Sequence, residues 1–489
     1  MSPKETKASH ASATAGSTKI ISMVTMALLT TTAVASIRGL ATIATFGLAS
    51  IFIYIVPALV FLIPTALVPA ELGSGWKGGV FGWVKAAYGD RMGFFAIWQQ
   101  WMQNVVWYPV VLSFFASALA YVYEPSLASN GLFVAVIILV VYWIATMIAS
   151  RGIKAFTEVG SKGLLVGTII PAMALVVLAI IFLATGGKTN ITGTSSDWIP
   201  PWAGLGSIVL VVSNFLSYAG MEMNAVHVDD MEHPTKNYPK SLLLASALIL
   251  LIFIPPTLAV AVGVPASKIN LTQGVLQAFV AFFAHLGMPW GTAIMALLIV
   301  IGVLSEIVTW IPGPSRGLLM VGRLGYLPPR LQKTNAHGMQ IAIMTVQGVI
   351  VSVLAVAFAI IPSVAATFWM LSTMAVQLYL LMYIVMFLAA MRLRKIAPHV
   401  SRGFKTPAMT FIASLGAVAS VAALLIGFVE PTGTTMNQAV YTSILVIGIV
   451  VLSSPPFIIY HMHKPSWNLK HPTASDAVAP HPPHPKDTK

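Results

Sequence analysis

Four charged residues interrupt long apolar stretches of this 489-residue chain: Arg38, Glu71, Glu222 and Glu306. A guanidinium group can bind a carboxylate through two parallel hydrogen bonds, and it stays charged at every physiological pH. A carboxylate in an apolar stretch can receive a cationic amine or a proton. Charges at membrane depth usually face a helix-bundle interior or a water-filled cavity. The pattern therefore predicts a site for small charged solutes, with a structural ion pair or hydrogen-bonded group between helices as the alternative for Arg38, Glu222 and Glu306. For Glu71, at the cytoplasmic end of helix 2, the structural role is the one favoured.

The segments that contain these residues are long enough to cross a membrane. The chain is 57% hydrophobic and 8% charged, with a mean hydropathy of +0.86, whereas soluble proteins have about 25% charged residues. Runs of roughly 20 apolar residues match a helix that spans about 30 Å of hydrocarbon. Because these runs are apolar on nearly every face, the alternating strands of a β-barrel are excluded.

We therefore predict an all-α integral membrane protein with twelve transmembrane helices. Two further stretches, 77–89 and 271–286, are predicted to be interfacial or loop helices. The predicted spans are 19–45, 48–70, 93–123, 131–149, 163–185, 202–227, 240–263, 289–314, 341–361, 364–391, 408–428 and 437–460.

The basic residues predict the orientation of these helices. Of the 27 Lys and Arg residues, all except Lys188, Lys268 and the intramembrane Arg38 fall on one side when the N-terminus is placed in the cytoplasm. This asymmetry follows the positive-inside rule and predicts that both termini are cytoplasmic. The net charge of +13 is spread over many short loops, so it does not indicate nucleic-acid binding.

No catalytic or cofactor chemistry is predicted. The chain has no Cys, which excludes disulfides, a thiol nucleophile and Cys-ligated metal sites. Outside the spans we find no paired carboxylates, no metal-spaced histidines and no Ser/His/Asp arrangement. We therefore predict a protein that is not an enzyme and that has no catalytic residue, metal or cofactor.

Helices 1 and 6 each contain a polar stretch of mostly small residues near the middle, at 30–42 and 217–222. Irregular backbone at membrane depth is tolerated only where it lines a cavity or is covered by protein. Interrupted helices in corresponding places of two halves are typical of a transporter site at the bilayer midplane. We predict that helices 1–5 and 6–10 form a five-plus-five inverted repeat, in which the exposed backbone and the half-helix dipoles bind a substrate's carboxylate and amine. Tight helix packing through Gly and Ser is the alternative.

Several segments follow one another in an order and spacing typical of one transporter family. They read PAEL at 69–72, GGVFGWV at 78–84, LSYAGME at 216–222, and GVLSEI at 302–307 followed by GPSRG at 313–317. With these segments and the pair Tyr379 and Tyr383, the chain resembles the glutamate/GABA antiporter family of the amino acid–polyamine–organocation (APC) transporters. The resemblance implies an APC/LeuT-like fold with broken helices 1 and 6 and two added C-terminal helices. It also implies cofactor-free exchange across a bacterial inner membrane.

The chain departs from the glutamate-exchanging members of that family in two places. Those members have tyrosines and an acidic residue in helix 1 where this chain reads ASIRGL at 35–40, so the substrate is left open. The C-terminal tail is short and does not match the segment that closes the cytoplasmic mouth of such antiporters. It is either a pH sensor, since histidine titrates between about pH 5 and 8, or a solvated disordered chain. Its histidines include His463, His471, His481 and His484.

The predicted organisation is a disordered cytoplasmic tail at 1–18, a ten-helix inverted-repeat transport core at 19–391, transmembrane helices 11 and 12 at 392–460, and a His/Pro-rich cytoplasmic tail at 461–489. The predicted substrate-binding residues come from helices 1, 6, 8 and 10. They are Ser36, Arg38, Gly39, Tyr218, Ala219, Gly220, Glu222, Glu306, Trp310, Tyr379 and Tyr383.

The predicted function is secondary active amino acid transport by alternating access. The protein is expected to exchange an external, glutamate-like amino acid for an internal amine or amino acid product such as GABA. The first alternative is a proton-coupled importer of neutral or cationic amino acids or polyamines on the same fold. The second is a membrane sensor that does not transport, although the loops are short and no soluble domain is attached. The predicted partners are the substrate, the counter-substrate and the lipid bilayer; proton coupling and oligomeric state are left open.

Overall fold

The computed structural model describes residues 21–191, 195–200, 214–215, 217–270, 272–361, 363–429 and 437–468. Within these ranges the chain is mainly α-helical, and an isolated parallel bridge pairs Ile21 with Met231. The predicted tail at 1–18 and much of predicted helix 6 lie outside the described residues.

Long helices follow one another through the first part of the chain. A π turn at Ala58–Leu62 connects α3 to α4, and another at Leu165–Ile169 connects α8 to α9, so each pair forms one continuous helix. The helices are α1 Met23–Val34, α2 Leu40–Ala44, α3 Ala49–Pro57, α4 Ile63–Gly75, α5 Gly79–Tyr88, α6 Asp90–Tyr123, α7 Gly131–Ala149, α8 Ile153–Leu164 and α9 Ile170–Ala184.

The second part of the chain has the same character. Helix α12 continues directly into α13, which is followed by the π turn Gly322–Tyr326. Helix α17 likewise continues into α18. The helices are α10 Pro234–Gly263, α11 Gly274–His285, α12 Gly291–Trp310, α13 Pro312–Val321, α14 Ile341–Ile360, α15 Val364–Ile396, α16 Met409–Ile426, α17 Gln438–Ser453 and α18 Pro455–Met462.

Within the described ranges, eleven helices, counted with their continuations, are long and apolar enough to cross a membrane. They match eleven of the predicted spans, while the span at 202–227 overlaps residues that are not described and stays a prediction. Two helices exceed the predicted spans the most, at Ile153–Ala184 and Gly291–Tyr326. The first gains the amphipathic α8, whose polar face does not read as an apolar run. The second continues past residue 314 because α13 and the π turn Gly322–Tyr326 follow α12 directly.

The two predicted loop helices are present as α5 and α11. Helix α5 packs against α6 and α15, and Phe81 and Trp83 on it are fully buried. It is therefore covered by protein.

The first membrane helix is interrupted, as predicted. Helix α1 ends at Val34, Ala35 and Ser36 are extended, and a single 3-10 turn at Ile37–Gly39 leads into α2. The change of direction places the side chains at 35–39 between two short helices instead of along one helix face.

Threonine side chains weaken α1 just before this interruption. Thr31 donates its hydroxyl to the carbonyl of Ala27 at 2.8 Å, and Thr32 donates to that of Leu28 at 2.7 Å. Such bonds to the preceding turn slightly destabilise a helix and often bend it. The helix thus weakens just before it ends.

A second interruption lies in predicted helix 6. The described helical residues end at Tyr218, the chain turns with Gly220 at φ +114°, and it continues as a 3-10 helix at Met223–Asp230. The end of this 3-10 helix is tied to the start of α1, because Ile21 N donates to the Asp230 carbonyl at 3.1 Å. The two interrupted segments are therefore joined at one end.

Small residues let α12 approach the α8–α9 helix closely. A Cβ atom on Gly167 would lie 2.0 Å from the backbone N of Gly302, and one on Gly163 would lie 1.5 Å from Oγ of Ser305. Glycines four residues apart commonly allow membrane helices to approach at short range. This contact fixes α12 at the turn that contains Glu306.

The described part of the C-terminal tail includes one of the four named histidines. The ring of His463 lies 5.3 Å from that of Tyr326 and 5.5 Å from that of Tyr460. The other three lie outside the described residues, so the pH-sensing hypothesis stays a prediction.

Candidate substrate-binding site

A small cavity lies between the two interruptions. Its volume is about 20 Å³, which is room for a water molecule and not for an amino acid. The described conformation is therefore closed around this position. The predicted site residues that line the cavity are Ser36, Arg38, Gly39, Ala219, Glu306, Trp310 and Tyr379.

Five further residues complete the lining. They are Ala33, Val34, Gln103, Trp107 and Ser217. Gln103 and Trp107 belong to α6. The sequence did not predict that α6 lines the site, because α6 carries no charged residue at membrane depth.

A signal for α6 is nevertheless present in the sequence. Gln99, Gln100, Gln103 and Trp107 recur with spacings that place them on one face of a helix, and the three amides are almost fully buried. Polar amides on one face of an otherwise apolar span are the feature that would have identified this wall of the cavity.

Arg38 contributes the positive charge of the cavity. Its guanidinium lies over the ring of Phe368, 5.7 Å from the centroid, an arrangement that stabilises a cation. Within the described part of the chain, its buried Nε has no hydrogen-bond partner. Glu306, which is 5% exposed, lines the same cavity. The site therefore combines unlike charges, a pattern complementary to an amino acid.

Aromatic side chains form another wall. The indole N–H of Trp310 donates to the carbonyl of Ala33 at 2.7 Å, and this bond satisfies a carbonyl just before the break in the first helix. The Trp310 ring lies 5.2 Å from that of Trp107 and 6.2 Å from that of Tyr379. Trp310 thus connects the interruption to α6 and α15.

Glu222 lies beside the cavity and does not line it. Its carboxylate accepts hydrogen bonds from Nε2 of Gln100 at 2.7 Å and from the hydroxyls of Tyr379 and Tyr383. The hydroxyl of Tyr383 also accepts from the backbone N–H of Gly220 at 2.7 Å. Glu222 and Tyr383 therefore hold the shape of the second interruption.

Tyr218 also points away from the cavity. Its hydroxyl donates to the carbonyl of Tyr54 at 2.9 Å, and Tyr54 in turn contacts the hydroxyl of Thr257 at 2.9 Å. Tyr218 thus connects the helical residues described just before the second interruption to α3 and α10. Of the predicted site residues, Tyr218, Gly220, Glu222 and Tyr383 lie next to the cavity, and the others line it.

Glu71 lies in a separate cluster. It is 1% exposed, and its two oxygens accept from Nε and Nη2 of Arg394, both at 2.6 Å. The backbone N–H of Thr406 donates to it at 2.7 Å, and Nε of Arg402 lies 3.4 Å away. This geometry is the structural ion pair that the sequence favoured for Glu71.

Gly220→Ala is expected to impair transport strongly. Gly220 has φ +114°, a conformation that L-residues rarely adopt, and a Cβ atom there would lie 2.9 Å from Cζ2 of Trp310. The added methyl group must displace the ring that closes the cavity. Uptake into liposomes, normalised to inserted protein, measures the effect. The control is Gly287→Ala, because Gly287 has φ +70° but nothing within 4 Å of its Cβ position. Equal activity of the two variants would contradict this role of the Trp310 contact.

A membrane protein whose described residues are mainly helical, with two interruptions of helical segments around a charged cavity, has the architecture of a secondary transporter. Comparison with known families identifies which one. The model of the amino acid permease family matches residues 21–452, and the chain belongs to this family, within the APC superfamily. The predicted resemblance is thereby confirmed.

Individual relatives match over most of their length. An uncharacterized transporter of Legionella pneumophila is 34% identical over 454 residues, which cover 91% of this chain and 98% of that protein. A glutamate/gamma-aminobutyrate antiporter of Lactococcus lactis subsp. lactis is 30% identical over 457 residues, with 91% of each chain covered. A probable agmatine/putrescine antiporter of the same organism is 24% identical over 372 residues, covering 75% of this chain and 78% of that protein. The family and these relatives are transporters and not enzymes.

Proposed function

We propose that the protein is an amino acid antiporter that exchanges an external acidic amino acid for an internal amine or amino acid product by alternating access. The observation that carries this proposal is the position of Arg38, in the first interruption and on the same cavity as Glu306. The family and the glutamate/gamma-aminobutyrate antiporters among the relatives support the substrate class.

In this mechanism the substrate lies between the two interruptions. Its α-carboxylate meets the backbone N–H groups at the breaks, where half-helix dipoles favour negative charge. Its side-chain carboxylate binds the guanidinium of Arg38 bidentately, and its ammonium group lies near Glu306. Trp310 and Tyr379 enclose the remaining surface. Tyr218, Gly220, Glu222 and Tyr383 position the second interruption without contacting the substrate.

The closed cavity requires a conformational change in each transport cycle. An amino acid needs more space than the described cavity offers, so the helices on its two sides must separate alternately toward each face of the membrane. The proposal includes the five-plus-five inverted repeat, with predicted helix 6 at 202–227, and cytoplasmic termini.

The second candidate is a proton-coupled importer of cationic substrates such as polyamines. The buried Glu306 and the relative named a probable agmatine/putrescine antiporter favour its cationic substrate but not its import mechanism. Arg38 opposes it, because a fixed cation in a closed cavity repels a cationic ligand. We therefore place the acidic substrate first.

Exchange into liposomes tests the proposal. Purified protein is reconstituted into vesicles preloaded with single amino acids or their decarboxylation products, and uptake of labelled L-glutamate is measured at acidic and neutral pH. We expect uptake to require a preloaded counter-substrate. Uptake into empty vesicles driven by a proton gradient would instead support the importer. Absence of glutamate uptake under every loading condition would overturn the acidic substrate.

A further inference from the structure

A second and larger cavity lies between the end of the 3-10 helix Met223–Asp230 and helix α13. Its volume is about 520 Å³, within the range of about 300 to 1000 Å³ that is usual for small-molecule sites. It shares no lining residue with the closed cavity. Its charged lining residues come from loops predicted to be cytoplasmic, and they are Lys77, Asp229, Asp230, Arg316 and Arg323.

One part of the lining is a fixed framework. Arg316 Nη1 donates to Oδ2 of Asp230 and to Nδ1 of His227, both at 2.8 Å. Burial raises the pKa of Asp230, but the contacts with His227 and Arg316 outweigh burial and bring that pKa to about 2. Asp230 is therefore ionised at every physiological pH, and its pair with Arg316 persists.

The other part is exchangeable. Lys77 Nζ lies 3.4 Å from Oδ1 of Asp229, and these side chains are 36% and 43% exposed. Exposed ion pairs contribute little net stability because water screens them. The ammonium and carboxylate groups of a ligand can therefore replace this pair at little cost.

His227 forms part of the wall of this cavity. Its side chain is 2% exposed, and its ring lies 5.3 Å from that of Phe156. Its Nδ1 lies 2.8 Å from Nη1 of Arg316 and 3.6 Å from Oδ2 of Asp230. The ring therefore holds the Arg316–Asp230 pair in place on one side of the cavity.

The charges that line the second cavity indicate which ligand binds there. Three basic and two acidic side chains line it, so the formal charge of the cavity is positive. We propose that this cavity is a second binding site, for an amino acid of net negative charge on the inward side of the transport site. The ligand's ammonium group replaces Lys77 at Asp229, and one of its carboxylates binds Lys77. This inference rests on the proposed function only for the identity of the amino acid.

Equilibrium dialysis of the purified full-length protein with labelled L-glutamate tests the second site. We expect two molecules bound per chain in the wild type and one in Arg38→Ala. Adding Lys77→Gln and Asp229→Asn to Arg38→Ala is expected to weaken the remaining binding at least tenfold, whereas adding Lys188→Gln leaves it unchanged. A wild-type stoichiometry of one that falls to zero in Arg38→Ala would overturn the second site. Remaining binding that survives the Lys77 and Asp229 changes would do the same.

Cysteine labelling gives a second measurement that does not alter the charged groups. The chain contains no Cys, so Met320→Cys places a single thiol in the cavity lining. L-Glutamate is expected to slow its alkylation several-fold, in the Arg38→Ala background as well, and to leave a thiol introduced by Met288→Cys unaffected. Protection by putrescine and not by glutamate would overturn the anionic ligand. Protection by glutamate in a protein that fails every exchange assay would reject the proposed antiport while supporting the second site.

Discussion

Arg38→Ala is expected to abolish exchange of acidic amino acids while the protein still inserts into the membrane. The guanidinium lies at the first interruption, lines the closed cavity and has an unpartnered Nε within the described residues. Loss of one partner from a buried, hydrogen-bonded charge pair costs about 2–5 kcal/mol, and each 1.4 kcal/mol is a factor of ten. We therefore expect uptake efficiency at low substrate concentration to fall by about 100-fold or more.

Two controls separate binding from assembly. Arg38→Lys retains the positive charge but cannot bind a carboxylate bidentately, so this variant should keep intermediate activity. Lys188→Ala removes a basic residue from a loop on the predicted outer side and should transport like the wild type. The measurements are uptake in preloaded liposomes and elution in gel filtration, which reports folding. Wild-type exchange by Arg38→Ala would refute the assignment.

The helices were largely predictable because membrane insertion imposes a local rule. Each span must be apolar over about 20 residues, and a run such as 131–149 satisfies this rule without reference to the rest of the chain. The extension of one helix back to Ile153 was missed because α8 has a polar face. An amphipathic helix does not satisfy the rule of about 20 apolar residues, so that rule places the start of this helix too late.

The first interruption was predictable for a similar reason. The stretch around Thr31 and Thr32 favours bonds to the preceding turn, and Gly39 follows in the 3-10 turn after the helix ends. The residue that contacts this interruption across the cavity, Trp310, was harder to predict. Trp310 donates to a carbonyl 277 residues earlier in the chain, and only the folded arrangement brings these groups together.

The charges of the site were predictable, but the directions of its tyrosines were not. Arg38 and Glu306 stand out because charge is rare in membrane spans. Tyr218 and Tyr383 were expected to contact the substrate, and in the structure their hydroxyls bond to Tyr54 and to Glu222. Both side chains are fully buried aromatics with one polar atom, so the nearest polar partner decides where they point.

The cluster around Glu71 connects parts of the chain that are far apart in sequence. Glu71 lies in α4, Arg394 is 323 residues later at the end of α15, and Thr406 follows in the loop before α16. Two arginines approach one carboxylate, and the side chain of Arg402 is 2% exposed. Burial lowers the pKa of Arg402, and the charge of Glu71 opposes that decrease. The carboxylate is therefore what keeps both cations stable in this position.

Glu71→Ala is accordingly expected to destabilise the protein strongly. Removing one member of a buried ion pair costs about 3–5 kcal/mol, because the remaining charge stays buried without a counter-ion. Here that charge belongs to Arg402, whose side chain is 2% exposed, whereas Arg394 is 30% exposed. Glu71→Gln should lose less, since its amide oxygen can still accept from Thr406 and from one nitrogen of Arg394. The measurement is the midpoint of thermal unfolding in detergent, compared at one heating rate because unfolding of such a protein need not be two-state or reversible.

Lys85→Ala is the matched control for this prediction. Lys85 and Asp90 form an ion pair at 2.8 Å, but their side chains are 26% and 30% exposed, and partly exposed pairs contribute about 0–1 kcal/mol. A midpoint for Glu71→Ala as high as that for Lys85→Ala would contradict a stabilising role. If the midpoint falls while the folded fraction transports at the wild-type rate, Glu71 stabilises the fold without taking part in substrate binding. That result is the one we expect, because Glu71 does not line the closed cavity.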